Sequence, residues 1–517
     1  MSYASKAKAE SGGAAVAEAV MDAARIPLAP PSPRIWSPEQ NAIFEWCVGG
    51  DGNLVVIARA GSGKTTTIIE GVNRMPETSI LLAAFNKRIA EELNTRLNNP
   101  NAEAKTLHAI GFQLVKEYWS GVRVGKGNDR ADDLTRAVCG ASVPDTIKKL
   151  VSKLHTKARE MKPYAKSGAD LDPLAEQFEC DPDPFWYHQG YDVAFVCDRA
   201  YQAMVLAAQD RPKMGIDFAD MIYLPLRNGW AAPRYTAVLV DEAQDMTLAQ
   251  LDLARKVLAP GGRMCVVGDD RQAIYAFRGA DSDSLSRLKK ELKATQLKLT
   301  TTYRCGRKIV ALAQTEVPDI VAGEGNGEGT ITTLEADKLT AQAQPGDFIL
   351  SRLNAPLAGF AMQLLREGKR AQIAGRDIGQ GLKTLVRKLS KGVYDVDTFL
   401  DRVDAWREKE VKRLLALKYE TRAVLVEDQA ETLYHLADGA TTIVQIEGTI
   451  ERLFDDCAPD TRYVLLSSVH KAKGLEADKV FVLEWTFRRG KDQEENNIYY
   501  VAITRAKHDL VFVEARR

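Results

Sequence analysis

Residues Ala60–Thr66 read AGSGKTT and stand just after the apolar run Leu54–Ala58. A buried strand running into a glycine loop that opens a helix makes a grip for phosphate. Gly61 and Gly63 let backbone N–H groups turn inward, and the helix start adds the positive end of its dipole. Lys64 supplies a point charge and Thr65 a hydroxyl suited to Mg²⁺. The strict pattern has Gly where this chain has Ala58; the remaining positions fit. A chance glycine turn would not need strand, loop, Lys-Thr and helix to coincide, so the segment predicts nucleoside triphosphate binding on a parallel α/β framework.

At 517 residues and 45% hydrophobic content the chain can bury more than one core. Lysine plus arginine total 70 and aspartate plus glutamate total 70, so no net field holds the molecule on a polyanion and any nucleic-acid site must be locally built. The seven cysteines are scattered without C-x-x-C pairs, which argues for free thiols rather than a zinc site. No apolar stretch is long enough to span a bilayer and the start lacks a signal-type segment. The expected location is cytoplasmic, with no membrane partner. Met1–Arg34, alanine-rich and then proline-rich, reads as a disordered arm.

Apolar runs at Leu54–Ala58, Ser79–Phe85, Ala237–Val240 and Met264–Val267 predict one buried parallel sheet. Runs at Asp347–Ser351, Ala371–Ala374, Tyr463–Val469, Val480–Trp485 and Leu510–Val513 predict a second. Helical spacing fills 112–215 and 385–455. The first stretch carries Lys148, Lys149, Lys153, Lys157, Arg159, Lys162 and Lys166, the second Trp406, Arg407, Lys409, Lys412 and Arg413. Such runs are more commonly solvated helix faces than binding surfaces.

Val238–Asp245 reads VLVDEAQD, a strand ending in paired acids, where an NTPase places a metal contact and a group that orients water. Further along stand GDDRQAIYAFRGA at Gly268–Ala280 and TTYR at Thr301–Arg304, then SVHKAKGLE at Ser468–Glu476 and YVAITRAK at Tyr500–Lys507. Upstream lie WSPEQ at Trp36–Gln40, FNK at Phe85–Lys87 and TLHAIG at Thr106–Gly111. In this order, from about Trp36 to Arg517, the chain resembles superfamily 1A DNA helicases of the UvrD/Rep/PcrA type.

The resemblance implies two RecA-like parallel-sheet motor domains, each with a mainly helical insertion. The first would comprise 35–111 and 216–290 with its insertion at 112–215, and the second 291–384 and 456–517 with a short insertion at 385–455. It implies ATP and Mg²⁺ as cofactors. Gln40 would read adenine, Tyr303 would stack on the base and Glu476 would hold the ribose. Ala60, Gly61, Ser62, Gly63, Lys64, Thr65 and Thr66 would line the phosphates, with Thr65 and Asp241 on the metal. Glu242 would be the general base, Gln272 would couple the γ-phosphate to the DNA side, and Arg304 and Arg505 would be arginine fingers.

Tyr275, Phe277 and Arg278, just after Gln272, are spaced as stacking platforms for successive bases, although aromatics so placed can equally be core residues. The resemblance adds Phe85, Asn86, His108 and His470 to the same groove. Phe85 stands one residue nearer the Asn-Lys pair than in familiar members, and Thr66 replaces their usual arginine. The second insertion is shorter than the 2B subdomain of the UvrD type. The expected activity is ATP-dependent translocation on single-stranded DNA, 3′ to 5′ by resemblance, with strand displacement at single-strand/duplex junctions. The alternative is a translocase that removes bound proteins or recombinase filaments with little unwinding.

Overall fold

A computed structural model describes residues 35–515 except 126, 128, 210–214, 233, 276–283 and 456–461. The arm Met1–Arg34 and the candidate track residues Phe277 and Arg278 therefore lie outside the described residues.

The first sheet contains β1 (Leu54–Ala58), β2 (Ile80–Ala84), β3 (Ala102–Thr106), β4 (Tyr235–Val240), β5 (Leu258–Gly268) and β6 (Thr295–Leu299). All pairings are parallel, in the order β3-β2-β4-β5-β1-β6. Successive side chains alternate between two buried faces: Val55, Leu81 and Val238 join one core, and Leu54, Val56, Ile80 and Leu82 join another. This is why the central strands read as unbroken apolar runs. Because β6 pairs with β1 from Leu54↔Thr295 to Ala58↔Leu299, the first sheet extends past the expected boundary at residue 290. Thr295, Gln296 and Lys298 are exposed because β6 lies at the sheet edge, and these polar residues hid the strand.

From Leu299 the chain passes directly to β7 (Thr301–Thr302), which pairs with β8 (Val321–Ala322). The second large sheet then forms from β9 (Thr330–Glu335), β10 (Phe348–Ser351), β11 (Ala371–Ala374), β12 (Phe454–Asp455), β13 (Val464–Ser468), β14 (Ala477–Leu483) and β15 (Ala506–Glu514). Its order is β12-β11-β13-β10-β14-β15-β9, again parallel throughout. The fold is thus α/β with two RecA-like lobes.

The first insertion is helical. Leu107–Tyr118, Asp129–Cys139, Asp145–Met161, Val193–Gln209 and Phe218–Arg227 enclose a core that includes Ile147, Val151, Leu154, Val196 and Met204. Its outermost helices extend beyond 112–215, because the helix Leu107–Tyr118 also packs Leu107, Ile110 and Leu114 onto the first sheet. Gly111 permits this double duty: a Cβ there would meet the Met221 carbonyl oxygen at 1.9 Å.

In the second lobe, helices Arg376–Leu389, Val396–Ala416, Glu420–Ala437 and Ile443–Leu453 pack Phe399, Leu433 and Ile446 into one core with Ile349, Leu466 and Phe481 of the sheet. This insertion starts at Arg376, not within the helix at 385, and it covers a sheet face rather than forming a separate core.

Four of the eleven basic residues in the two runs pair on their own helices, through Lys148–Asp145, Lys157–Glu160, Arg407–Asp404 and Arg413–Glu410. Arg159 instead is fully buried between Asp217 and Asp220. The two insertions touch through Arg422 and Glu179, 2.9 Å apart. Among the described residues no helix is long and apolar enough to cross a membrane.

Candidate functional site

In a parallel sheet the carboxyl ends of the strands share one edge, and the loops there are free to carry chemistry. At this edge of the first sheet, spatial order places His108 after β3, Phe85 and Asn86 after β2, and Asp241 and Glu242 after β4. Asp269 and Gln272 follow β5, the phosphate loop follows β1, and the crossing to the second lobe follows β6. Sequence-distant motifs become neighbours because β5 inserts between β4 and β1.

Gly61 and Gly63 adopt φ of +70° and +74°, and Gly63 caps the helix Lys64–Arg74 without any side-chain hydrogen bond to its first N–H groups. Those donors are left for a ligand. The Ser62 hydroxyl is buried with no hydrogen-bond partner. An uncapped helix start, two left-handed glycines and an orphaned hydroxyl fit a polyphosphate. Lys64 Nζ lies 2.5 Å from Glu242 Oε1 and 3.4 Å from Asp241 Oδ1. Burial works against ionisation of Glu242, yet Lys64 and Lys473 outweigh it and bring its pKa down to about 2. Burial raises that of Asp241 against the pull of Lys64. Glu242 is itself in the left-handed region at φ 51°, unusual for a residue with a side chain, and its carboxylate accepts from Gln244 Nε2 at 2.6 Å. Among the described residues no three metal-ligating side chains cluster, so Thr65 and Asp241 would share a metal with phosphate and water.

The second lobe closes over this loop. Tyr303 N–H donates to the Gly61 carbonyl at 2.9 Å. A Cβ on Gly61 would come within 2.5 Å of Thr302 Oγ1 and 2.6 Å of Arg304 Cβ. The Tyr303 ring is 51% exposed, beside Gly63 and Gln40, as a base-stacking face requires. Gln40 is less free than the resemblance implies: its Oε1 accepts from Ser37 N–H at 3.0 Å and its Nε2 donates to Thr67 Oγ1 at 2.8 Å. Thr66 accepts from Arg96 at 3.3 Å. Glu476 pairs with Arg304 at 2.6 Å and Lys507 at 3.0 Å. Arg505 is fully buried, held by the Val501 and Leu475 carbonyls. Burial and the neighbouring Arg304 lower its pKa to about 9, as expected of a cation lacking an anion.

Away from the phosphate loop, Phe85 and Tyr275 stack with ring centroids 6.4 Å apart and 13° between planes, and His470 of the second lobe tilts over Tyr275 at 6.1 Å. The Tyr275 hydroxyl donates to the His470 carbonyl at 2.8 Å. His108 packs edge-on against exposed Phe218, and burial lowers its pKa. Asn86 caps the helix Lys87–Arg96 by accepting from Ile89 N–H.

Sequence reasoning overlooked the groups between the two regions. Lys473 Nζ reaches both Asp245 oxygens at 2.8 and 2.7 Å and the Gln272 carbonyl at 2.6 Å, and lies 5.2 Å over the Tyr275 ring. Tyr500 accepts from Ala60 N–H at 3.2 Å. Both lay inside recognised motifs, but only their environment reveals what they touch.

Residues 36–293 match the model of the UvrD/REP helicase N-terminal domain and residues 367–517 that of the UvrD-like helicase C-terminal domain. The chain belongs to the UvrD/Rep helicase family. It is 24% identical to F-box DNA helicase protein 1 of Schizosaccharomyces pombe over 94% of this chain and 58% of that protein. It is 26% identical to ATP-dependent DNA helicase Rep of Salmonella typhimurium over 51% of this chain and 40% of that protein. DNA helicase II of Rickettsia typhi is 22% identical over 90% of each. The chain thus spans about half the length of the first two relatives.

Proposed function

We propose that this chain is an ATP-dependent DNA helicase that advances 3′ to 5′ on single-stranded DNA and displaces the opposing strand at junctions. One observation carries the reading: the phosphate loop and the Phe85–Tyr275 stack occupy the same edge of one sheet, and the second lobe touches both, through Tyr303 and His470.

Ala60–Thr66 and Lys64 would bind the phosphates of ATP, Gln40 and Tyr303 the base, and Glu476 the ribose. Thr65 and Asp241 would hold Mg²⁺, which when bound supplies charge neutralisation across the β and γ phosphates. Lys64 must leave Glu242 to reach phosphate. Its departure frees the Glu242 carboxylate oxygen that it now occupies to accept from water. Gln272 would sense the γ-phosphate, while Arg304 and Arg505, from the second lobe, would meet the charge that develops there. Pinching and release of the lobes would then shift the strand gripped by Phe85, Tyr275 and His470, with Asn86, His108, Phe277 and Arg278 along the groove.

The test is ATP-dependent opening of duplexes carrying either a 3′ or a 5′ single-stranded tail. Opening from the 3′ tail is expected. Failure with both tails removes the helicase reading, and a 5′ preference reverses its direction. Displacement of a bound protein without duplex opening would identify the remodelling translocase instead.

A further inference from the structure

Arg59 stands inside the phosphate loop, between β1 and Ala60, and is 8% exposed. Its guanidinium contacts three carboxylates from two distant segments. Nη1 lies 2.8 Å from Asp269 and 2.6 Å from Asp270, while Nε and Nη2 reach Asp319 at 2.7 and 3.1 Å. Asp319 belongs to the second lobe, between Val317 and Ile320, which are packed in that lobe's core. Lys298 on β6 also holds Asp319, at 3.0 Å. The Arg59 N–H donates to the Leu299 carbonyl, where the chain leaves the first sheet. Arg59 is therefore anchored at the crossing between lobes, and only a planar fork of donors can serve Asp319 on one side and Asp269 and Asp270 on the other.

Asp269 is shared. One of its oxygens accepts from Arg59 and the other from Gln272 Nε2 at 2.8 Å. We propose that Arg59 is a positioning residue that ties the placement of Gln272 to the position of the second lobe, through Asp319 on one side and Asp269 on the other. When the lobes part, Arg59 loses its two bonds to Asp319 and falls back on Asp269 and Asp270, turning the carboxylate that holds Gln272. When they are together, as here, Arg59 holds Asp319 and Asp269 at once, and the Asp269 carboxylate is fixed with Gln272 on its other oxygen. This rests on the reading of the site as an ATPase coupled to DNA.

The experiment measures ATP hydrolysis by the full chain, with and without single-stranded DNA, for wild type, Asp319→Asn, Asp319→Glu, Arg59→Lys and the double variant Arg59→Lys/Asp319→Asn. Asp319→Asn should lower the DNA-stimulated kcat about 10-fold while the KM for ATP and the unstimulated rate stay within about twofold. Asp319→Glu should restore much of the stimulation, and the double variant should be no worse than the worse single one. Unchanged stimulation in Asp319→Asn, multiplying losses in the double variant, or a parallel fall in unstimulated rate would each overturn the coupling. A wild-type protein without DNA-stimulated hydrolysis would overturn the proposed function, and this inference with it. A stimulated wild type with unaffected variants would sink the inference alone.

Discussion

Lys64 holds Glu242 where a phosphate is expected to stand, and much of the site's chemistry follows from that exchange. Glu242→Gln keeps the shape and removes the base, while Lys64→Ala removes the phosphate contact. Each should lower DNA-stimulated turnover by about 100-fold or more, with affinity for single-stranded DNA, measured by fluorescence anisotropy, nearly unchanged. Gly61→Ala acts differently. A Cβ there is strained at φ +70° and meets Thr302 and Arg304 at 2.5 and 2.6 Å, so it props the second lobe off the loop. Turnover should fall about 10-fold or more while the nucleotide-binding first lobe stays folded; a near-normal rate would mean the lobes need not meet at Gly61. The motifs led directly to the groups around the loop because their chemistry depends on residue type. Arg59 and Lys473 were not legible in the same way, since a charged residue shows its partners only after β5 has brought 269–272 between them.

At the scale of elements, the strands missed in the sequence are all sheet edges: β3 and β6 border the first sheet, β12 and β9 the second. Ala102–Thr106 reads AEAKT and Thr330–Glu335 reads TITTLE; with one side open to solvent, these strands need no apolar run. Central strands, covered on both faces, announced themselves. The first insertion supplies a test of its own. His155 is fully buried, with Nε2 donating to the Ala131 carbonyl at 3.2 Å and Nδ1 lacking a partner. Burial, reinforced by Arg159, outweighs the hydrogen bond to the Ala131 carbonyl and the pull of Asp217 and lowers its pKa to about 3. The unfolded chain takes up this proton near pH 6.5 and the folded one does not. The stabilisation from a neutral His155 is thus complete above 6.5 and declines as pH falls toward 3, by about 2 kcal/mol at pH 5. Amide exchange in the helix Asp145–Met161 should accelerate between pH 7 and 5 beyond its intrinsic pH dependence. His155→Leu should flatten that trend; an unaltered slope would assign it to another group.

For the whole molecule, the question is whether the track is held by stacking or by charge. Formal net charge is zero, four of the eleven basic residues in the two helical runs pair with acids on their own helices, and the second insertion shares the core of its lobe. Where the track is proposed, Tyr275 bridges the lobes, between Phe85 and His470 and under Lys473. A stacked base is worth about 1–3 kcal/mol, so Tyr275→Ala should weaken single-stranded DNA binding by roughly 10-fold or more. Tyr275→Phe retains the ring and loses only the hydroxyl bond to the His470 carbonyl, so its affinity should stay near wild type. Stacking releases no counterions. The slope of log affinity against log salt should therefore be the same in wild type and Tyr275→Ala, whereas loss of a phosphate-contacting lysine would lower it by about 0.7 for a single strand. Equal affinity for wild type and Tyr275→Ala across salt would place the strand elsewhere on the molecule. A slope that changes with Tyr275→Ala would show that the aromatic stack acts by positioning a neighbouring cation, with Lys473 the first to examine.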